Sequence, residues 1–198
     1  MTRNTAKLVA REKLLERGVA LLMEQGYHGS GLQGILQSVG VPKGSFYNYF
    51  PSKEAFSAEV IRHYIEPFIQ ALAGWLQRGD INARQALDGY FQELIEESER
   101  RRFRGGCLLG NLMGEVGDTS EVCRAALHEA VRKYRDTLCE GIARGQQEGC
   151  IRQDKSSEAM ADLLVNAWQG ALLRMKIEQS VHPPRECIAM LLNDYFKP

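Results

Sequence analysis

Residues 30–53, Ser-Gly-Leu-Gln-Gly-Ile-Leu-Gln-Ser-Val-Gly-Val-Pro-Lys-Gly-Ser-Phe-Tyr-Asn-Tyr-Phe-Pro-Ser-Lys, constrain the fold more than any other stretch of the chain. Ser30 can cap the free backbone N–H groups of a helix that carries Leu32, Ile35, Leu36 and Val39 at helical spacing. Gly40 can take the left-handed backbone that ends a helix, Val41 can fill the corner, and Pro42 suits the first turn of a following helix. That second helix is predicted over 43–49, with Phe46 and Phe50 as its core anchors. Its remaining residues, Lys43, Ser45, Tyr47, Asn48 and Tyr49, are costly to bury and useful against DNA. Phe50-Pro51-Ser52-Lys53 then stops one helix and caps the next. The pattern predicts a helix-turn-helix, whose second helix lies in the major groove while Lys and hydroxyl groups reach phosphates. Candidate DNA contacts are Ser30, Gln33, Lys43, Ser45, Tyr47, Asn48, Tyr49 and Lys53.

Several residues of this stretch fall into one ordered pattern, GV-x-K-G-x-x-Y-x-x-F-x-S-K, formed by Gly40, Val41, Lys43, Gly44, Tyr47, Phe50, Ser52 and Lys53, with Gly26 closing the helix before it. The region resembles the TetR family of bacterial transcriptional repressors. Gly31 departs from the family, standing where a hydroxyl residue near a phosphate is usual. The resemblance implies an all-α homodimer with a helix-turn-helix DNA-binding domain over 1–53 and a regulatory and dimerisation domain over 54–198. Two reading heads about one DNA turn apart, roughly 34–36 Å, would then face a palindromic operator.

Composition alone does not announce a nucleic-acid partner, because net charge is zero over 198 residues. The distribution is more telling: residues 1–55 hold seven Lys/Arg against four Asp/Glu, an excess of three. No apolar run approaches the roughly 18 residues that span a bilayer, and the N-terminus lacks the apolar core of a secretory signal. A cytoplasmic protein with no membrane partner is expected. Five cysteines, an odd number without a C-x-x-C pair, argue against both a disulfide framework and a zinc site. His63, His128 and His182 stand alone, and no nucleophile constellation or phosphate-cradling loop is present, so neither an enzyme nor a cofactor is expected. A helical module that binds only protein is the remaining class, against which Lys43, Tyr47 and Lys53 argue.

Helical periodicity runs along the rest of the chain. Leu8, Leu14, Leu15, Val19, Leu22 and Met23 predict an amphipathic first helix ending at Gly26, whose Arg3, Lys7 and Arg11 are further candidates for phosphate contact. From Ser52 a long helix carries Phe56, Val60, Tyr64, Phe68, Leu72 and Leu76, and Pro67 should kink rather than end it. Further helices are predicted over 83–101, from near Cys107 through Val116, over 120–147 with Val122 facing inward, and, reinitiating over Asp154 to Ser157, a strongly apolar one with Met160, Leu163, Leu164, Trp168 and Met175. Pro183-Pro184 should separate this last one from a terminal helix bearing Ile188, Leu191, Leu192, Tyr195 and Phe196. The two late helices are candidates to pair with the same two from a second copy.

The regulatory signal is sought around Cys107. Four arginines, Arg100, Arg101, Arg102 and Arg104, precede it, and a helix N-terminus is predicted beside it; positive potential favours the reactive thiolate, although a small buried thiol is the commoner fate of a free cysteine. Gly106-Cys107-Leu108 with Leu112, Glu115 and Val116, and the Val41 to Tyr47 form of the reading motif, resemble the TetR subgroup of the N-ethylmaleimide reductase repressor. That resemblance implies a response to electrophiles or oxidants through Cys107, with Lys176 near the thiol. The competing expectation is a noncovalent organic inducer in an apolar pocket near Trp75, Tyr90, Phe91, Met113, Tyr134 and Trp168, aromatics that are more often plain core.

Overall fold

The computed structural model describes residues 3–30, Gly34, Leu36 and residues 43–198. Its helices are α1 (Arg3–Gly29), α2 (Lys43–Phe46), α3 (Lys53–Leu76), α4 (Ala83–Arg100), α5 (Leu108–Val116), α6 (Glu121–Gln147), α7 (Ser157–Glu178) and α8 (His182–Met190), followed by a π-helical turn, Leu191–Tyr195; no strand occurs among the described residues. These helices form two compact units, residues 1–66 with 108–130, and residues 67–107 with 131–198.

Hydroxyl and amide caps place the helix starts. The Ser52 Oγ accepts from the Ala55 N–H at 3.1 Å at the head of α3, and the Ser120 Oγ accepts from the Cys123 N–H at 3.3 Å at the head of α6. Asn82 and Gln85 form a reciprocal capping box on α4, and Ser156 caps α7. Each such cap contributes about 1 kcal/mol. Pro67 lies inside α3, which continues through it, as the unbroken apolar spacing predicted. Pro183 and Pro184 do not form the break before α8. They lie in its first turn, where a missing N–H costs nothing.

In the first unit, Phe46, Phe50 and Phe56 are fully buried against one another, with ring centroids 4.9–5.5 Å apart. This cluster ties α2 to α3, each ring contributing roughly 1.5–3 kcal/mol by burial. Gly18 lets α1 lie close to α3, since a Cβ there would come within 2.6 Å of both Phe56 and Val60. Leu36 is buried, while its predicted companions Leu32, Ile35 and Val39 lie outside the described residues. Leu8 and Val122, both expected inward, are exposed. Periodicity located their stripes but not the edges that neighbouring helices leave uncovered.

The second unit closes around the ends of its helices. Arg144 on α6 donates to the carbonyls of Leu76 and Ile81, and Glu148 accepts from the Ala83 N–H at 2.7 Å. Arg144 and Glu148, at the C-terminal end of α6 and just past it, thus satisfy the end of α3 and the start of α4. Tyr90, Phe91, Tyr134 and Trp168 are buried together, the Phe91 and Trp168 centroids 4.9 Å apart.

Candidate nucleic-acid interface and regulatory site

The reading helix is shorter than predicted. Its α-helical part ends at Phe46, and residues 47–49 form a turn in which the Phe46 carbonyl accepts from both the Tyr49 and Phe50 N–H groups, at 2.8 and 3.0 Å. Pro51 explains the stop, because it disfavours helical backbone at Phe50. Phe46 and Phe50 point inward, leaving Tyr47 55 % exposed and Asn48 exposed beside it. Lys43 and Ser45 belong to α2, and Gln33, like Gly31 and Gly40 to Pro42, lies outside the described residues. Lys7 stands 5.9 Å over the half-buried Tyr49 ring, whereas Arg11 is paired with Glu59 and stacks on Phe50.

Two of the predicted contacts are turned to internal work. Ser30 is buried and its hydroxyl donates to the Tyr27 carbonyl at 3.1 Å. Lys53 Nζ donates to the same carbonyl at 2.5 Å and lies 4.3 Å over the Tyr27 ring. Burial pulls the Lys53 ammonium below its ordinary value, and the nearby Glu115 carboxylate works in the opposite direction.

Glu115, on α5, holds the connection that follows the first helix. Gly26 takes φ 69° and ψ −179°, a conformation restricted to glycine, so the ladder of α1 breaks there and the next N–H groups need outside acceptors. The Glu115 Oε2 accepts from the Tyr27 N–H at 2.7 Å and the His28 N–H at 3.3 Å. A Cβ on Gly26 would lie 2.5 Å from the other carboxylate oxygen. His28, given no part by the sequence, sets Nε2 3.4 Å from the Glu115 carbonyl. A lone acid in the otherwise uncharged run Leu-Leu-Gly-Asn-Leu-Met-Gly-Glu-Val was the available signal for this pin.

Cys107 precedes the first residue of α5 and is half-buried. The Gly105-Gly106 pair, with φ 87° and 67°, brings the chain onto α7, where a Cβ on Gly106 would come within 2.9 Å of the Lys176 Cδ. Lys176 therefore passes beside the residue preceding the thiol. The Gln169 Nε2 donates to Cys107 Sγ at 3.2 Å, a contact the sequence reading missed. Its signal was a polar side chain between Trp168 and Gly170 in the stretch Ala167 to Leu173. The arginine run is less concentrated on the thiol than its sequence suggested, since Arg100 and Arg101 both pair with Glu97, at 2.8 and 2.6 Å.

The other four thiols have different surroundings. Burial pushes the Cys123 and Cys187 thiols up, Cys139 faces the Ser157 hydroxyl at 3.4 Å, and Cys150 faces the Glu148 carboxylate at 3.7 Å. Of the aromatic pocket candidates, Tyr90, Phe91, Tyr134 and Trp168 are core, whereas Trp75 donates to the Glu93 carboxylate at 2.9 Å and covers Gly89. Met113 is exposed and belongs to the other unit. The Tyr90 hydroxyl, facing Tyr134, is buried without a hydrogen bond of normal length, and desolvation pushes it up strongly. On α7, Leu163 is partly exposed, in line with Leu173 and the 84 % exposed Ile177; Met190 on α8 is also exposed.

An exposed reading turn anchored by a phenylalanine cluster, ahead of a wholly helical body among the described residues, defines a DNA-binding regulator of the helix-turn-helix class. Residues 14–60 match the family described as bacterial regulatory proteins, tetR family, and residues 83–191 match the tetracyclin repressor-like C-terminal domain. The chain belongs to the TetR family. It is 36% identical over 178 residues to the HTH-type transcriptional repressor DhaR of Mycobacterium sp. (strain GP1), covering 90% of this chain and 88% of that one. To the HTH-type transcriptional repressor NemR of Escherichia coli (strain K12) it is 33% identical over 183 residues, 92% of each chain. The crystal structure of E. coli NemR in its reduced form superposes with a TM-score of 0.86 over 93% of this chain and 95% of that chain. These relatives are named as repressors, and repressors of the family bind operator DNA and act as dimers. No helix among the described residues is long and apolar enough to cross a membrane.

Proposed function

We propose that this TetR-family repressor holds a palindromic operator in the cytoplasm as a dimer and releases it when Cys107 is modified by an electrophile or oxidant. The observation that carries the reading is the position of Cys107. It lies immediately before α5, against an amide donor and beside Lys176, and α5 is the helix whose Glu115 holds the turn leading into the reading motif. Adding mass or charge at the thiol would load the start of that helix, shifting the population toward a form whose heads no longer fit two successive grooves. That NemR was crystallised in a form designated reduced supports a redox-active relative of this chain.

The test is fluorescence anisotropy with DNA from upstream of the protein's own gene, using wild type and Cys107→Ser before and after an electrophile, then with reductant. Wild type is expected to lose binding and Cys107→Ser to keep it; equal release of both proteins would remove the thiol from the mechanism. A second reading, a noncovalent organic inducer, is favoured by the buried hydroxyl of Tyr90, which faces Tyr134 beside the Phe91 ring and could turn to a polar ligand group. Dimerisation is assigned to the outer face of α7 and α8, where Leu173, Ile177 and Met190 are exposed and Gly170 leaves open space for close approach. Ile177→Asp should shift sedimentation toward monomer and weaken operator binding; an unchanged dimer would place the interface elsewhere.

A further inference from the structure

Among the five cysteines, Cys107 is the one whose sulfur receives a hydrogen bond from a side-chain amide, at 3.2 Å from the Gln169 Nε2. A thiolate is a strong acceptor and a thiol a weak one, so an N–H donor aimed at sulfur favours the form that reacts. The opposite end of the same amide would do the reverse. Gln169 and Lys176 are seven residues apart on α7, two helical turns, and so share a face. Gly106 packs on that face, where a Cβ would lie 2.9 Å from the Lys176 Cδ and 4.0 Å from the Leu172 carbonyl oxygen. The close approach is possible only because Gly106 has φ 67° and no side chain. Backbone geometry thereby fixes the sulfur relative to the amide. Tyr90 on α4, whose buried hydroxyl faces Tyr134, is a further polar group of this region. Lys176 on α7 passes beside Gly106, while Arg100 and Arg101 on the cysteine's own segment are paired with Glu97.

We infer that Gln169 is the positioning residue of the thiol chemistry: its amide N–H orients Cys107 Sγ and stabilises it as thiolate. The inference rests on the reading of Cys107 as the sensor, and it adds the device that would distinguish this thiol from the other four.

The probe is iodoacetamide, whose CH2 carbon forms the new C–S bond with the thiolate while the C–I bond breaks and iodide leaves with the electron pair. The proton lost from the thiol goes to solvent. Alkylation of Cys107 in the full-length protein is followed by peptide mass spectrometry at pH 7 and at pH 10, without DNA. Removing a donor lowers the thiolate fraction but raises the nucleophilicity of each thiolate, so the two effects oppose each other differently at the two pH values. Gln169→Leu is expected to react about two- to threefold more slowly than wild type at pH 7 and faster than wild type at pH 10, so the profiles cross. Gln169→Glu, which sets a carboxylate against the sulfur, should be slower still at pH 7. A change in access alone would scale the rate equally at both pH values, and that result, or unchanged rates, overturns the assignment. Should Gln169→Leu fail to fold, Gln169→Asn withdraws the amide by one methylene and is read in the same way. Failure of the sensor reading is distinguished by Cys107→Ser, which reports on DNA release and not on alkylation.

Discussion

Two glycine turns can be compared in this molecule, one at Gly26 leading into the reading motif and one at Gly105-Gly106 leading to Cys107. Both adopt positive φ, and each is pinned by a side chain remote in sequence: Glu115 to the N–H groups of Tyr27 and His28, Gln169 to the sulfur of Cys107. The pins differ in kind. A carboxylate on two backbone donors makes charge-assisted bonds that oppose deformation, whereas a neutral amide on a sulfur makes a weak bond that a chemical change at the sulfur would remove. The Gly26 turn is held by the stronger pin and the Gly105-Gly106 turn by the weaker one.

The largest effects should come from filling the glycines. Gly26→Ala forces a side chain into a backbone conformation costing about 1–3 kcal/mol, and its Cβ would displace Glu115, leaving two N–H groups without their charged acceptor for a further roughly 1.5–3 kcal/mol. Gly106→Ala meets only the flexible end of Lys176, so about 1–2 kcal/mol from the backbone alone is expected. Urea unfolding of the two variants measures the difference, and equal losses would erase the distinction between the turns.

Glu115→Gln sharpens the same comparison at smaller scale. The amide oxygen can still accept from Tyr27, so the loss should be about 1 kcal/mol, the difference between a charge-assisted and a neutral bond. Operator binding should weaken with it. A stability loss with unchanged operator affinity would mean that the Gly26 turn does not position the reading motif.

What the sequence disclosed follows from the range of the forces involved. Caps and stops act within four residues, so Ser52, Ser120 and the glycines located the helix ends closely, and the phenylalanine pair of the reading segment was visible as its anchor. The facing of Leu8, Met113, Val122 and Leu163 was not, because a hydrophobic stripe is wider than the neighbour that covers it. Both pins lay further beyond reach. Glu115 is 88 residues from Tyr27 and Gln169 is 62 from Cys107, so only the fold brings them together.

The smallest effects separate reading from holding within the head. Asn48→Ala removes an exposed amide without disturbing the core, so it should change affinity by about 1–3 kcal/mol at one operator position and leave other sequences unaffected. Lys53→Ala should instead weaken all sequences alike. The internal bonds of Lys53 to Tyr27 give this second prediction two possible origins, and salt resolves them. If the ammonium leaves Tyr27 for a phosphate when DNA binds, the variant loses about one unit of the salt slope. If Lys53 stays on Tyr27 as a third support of the Gly26 turn, the slope is kept, and the loss appears equally in urea unfolding without DNA. An anisotropy titration across a salt series, set beside the unfolding curve, decides whether this lysine belongs to the surface that touches the operator or to the frame that presents it.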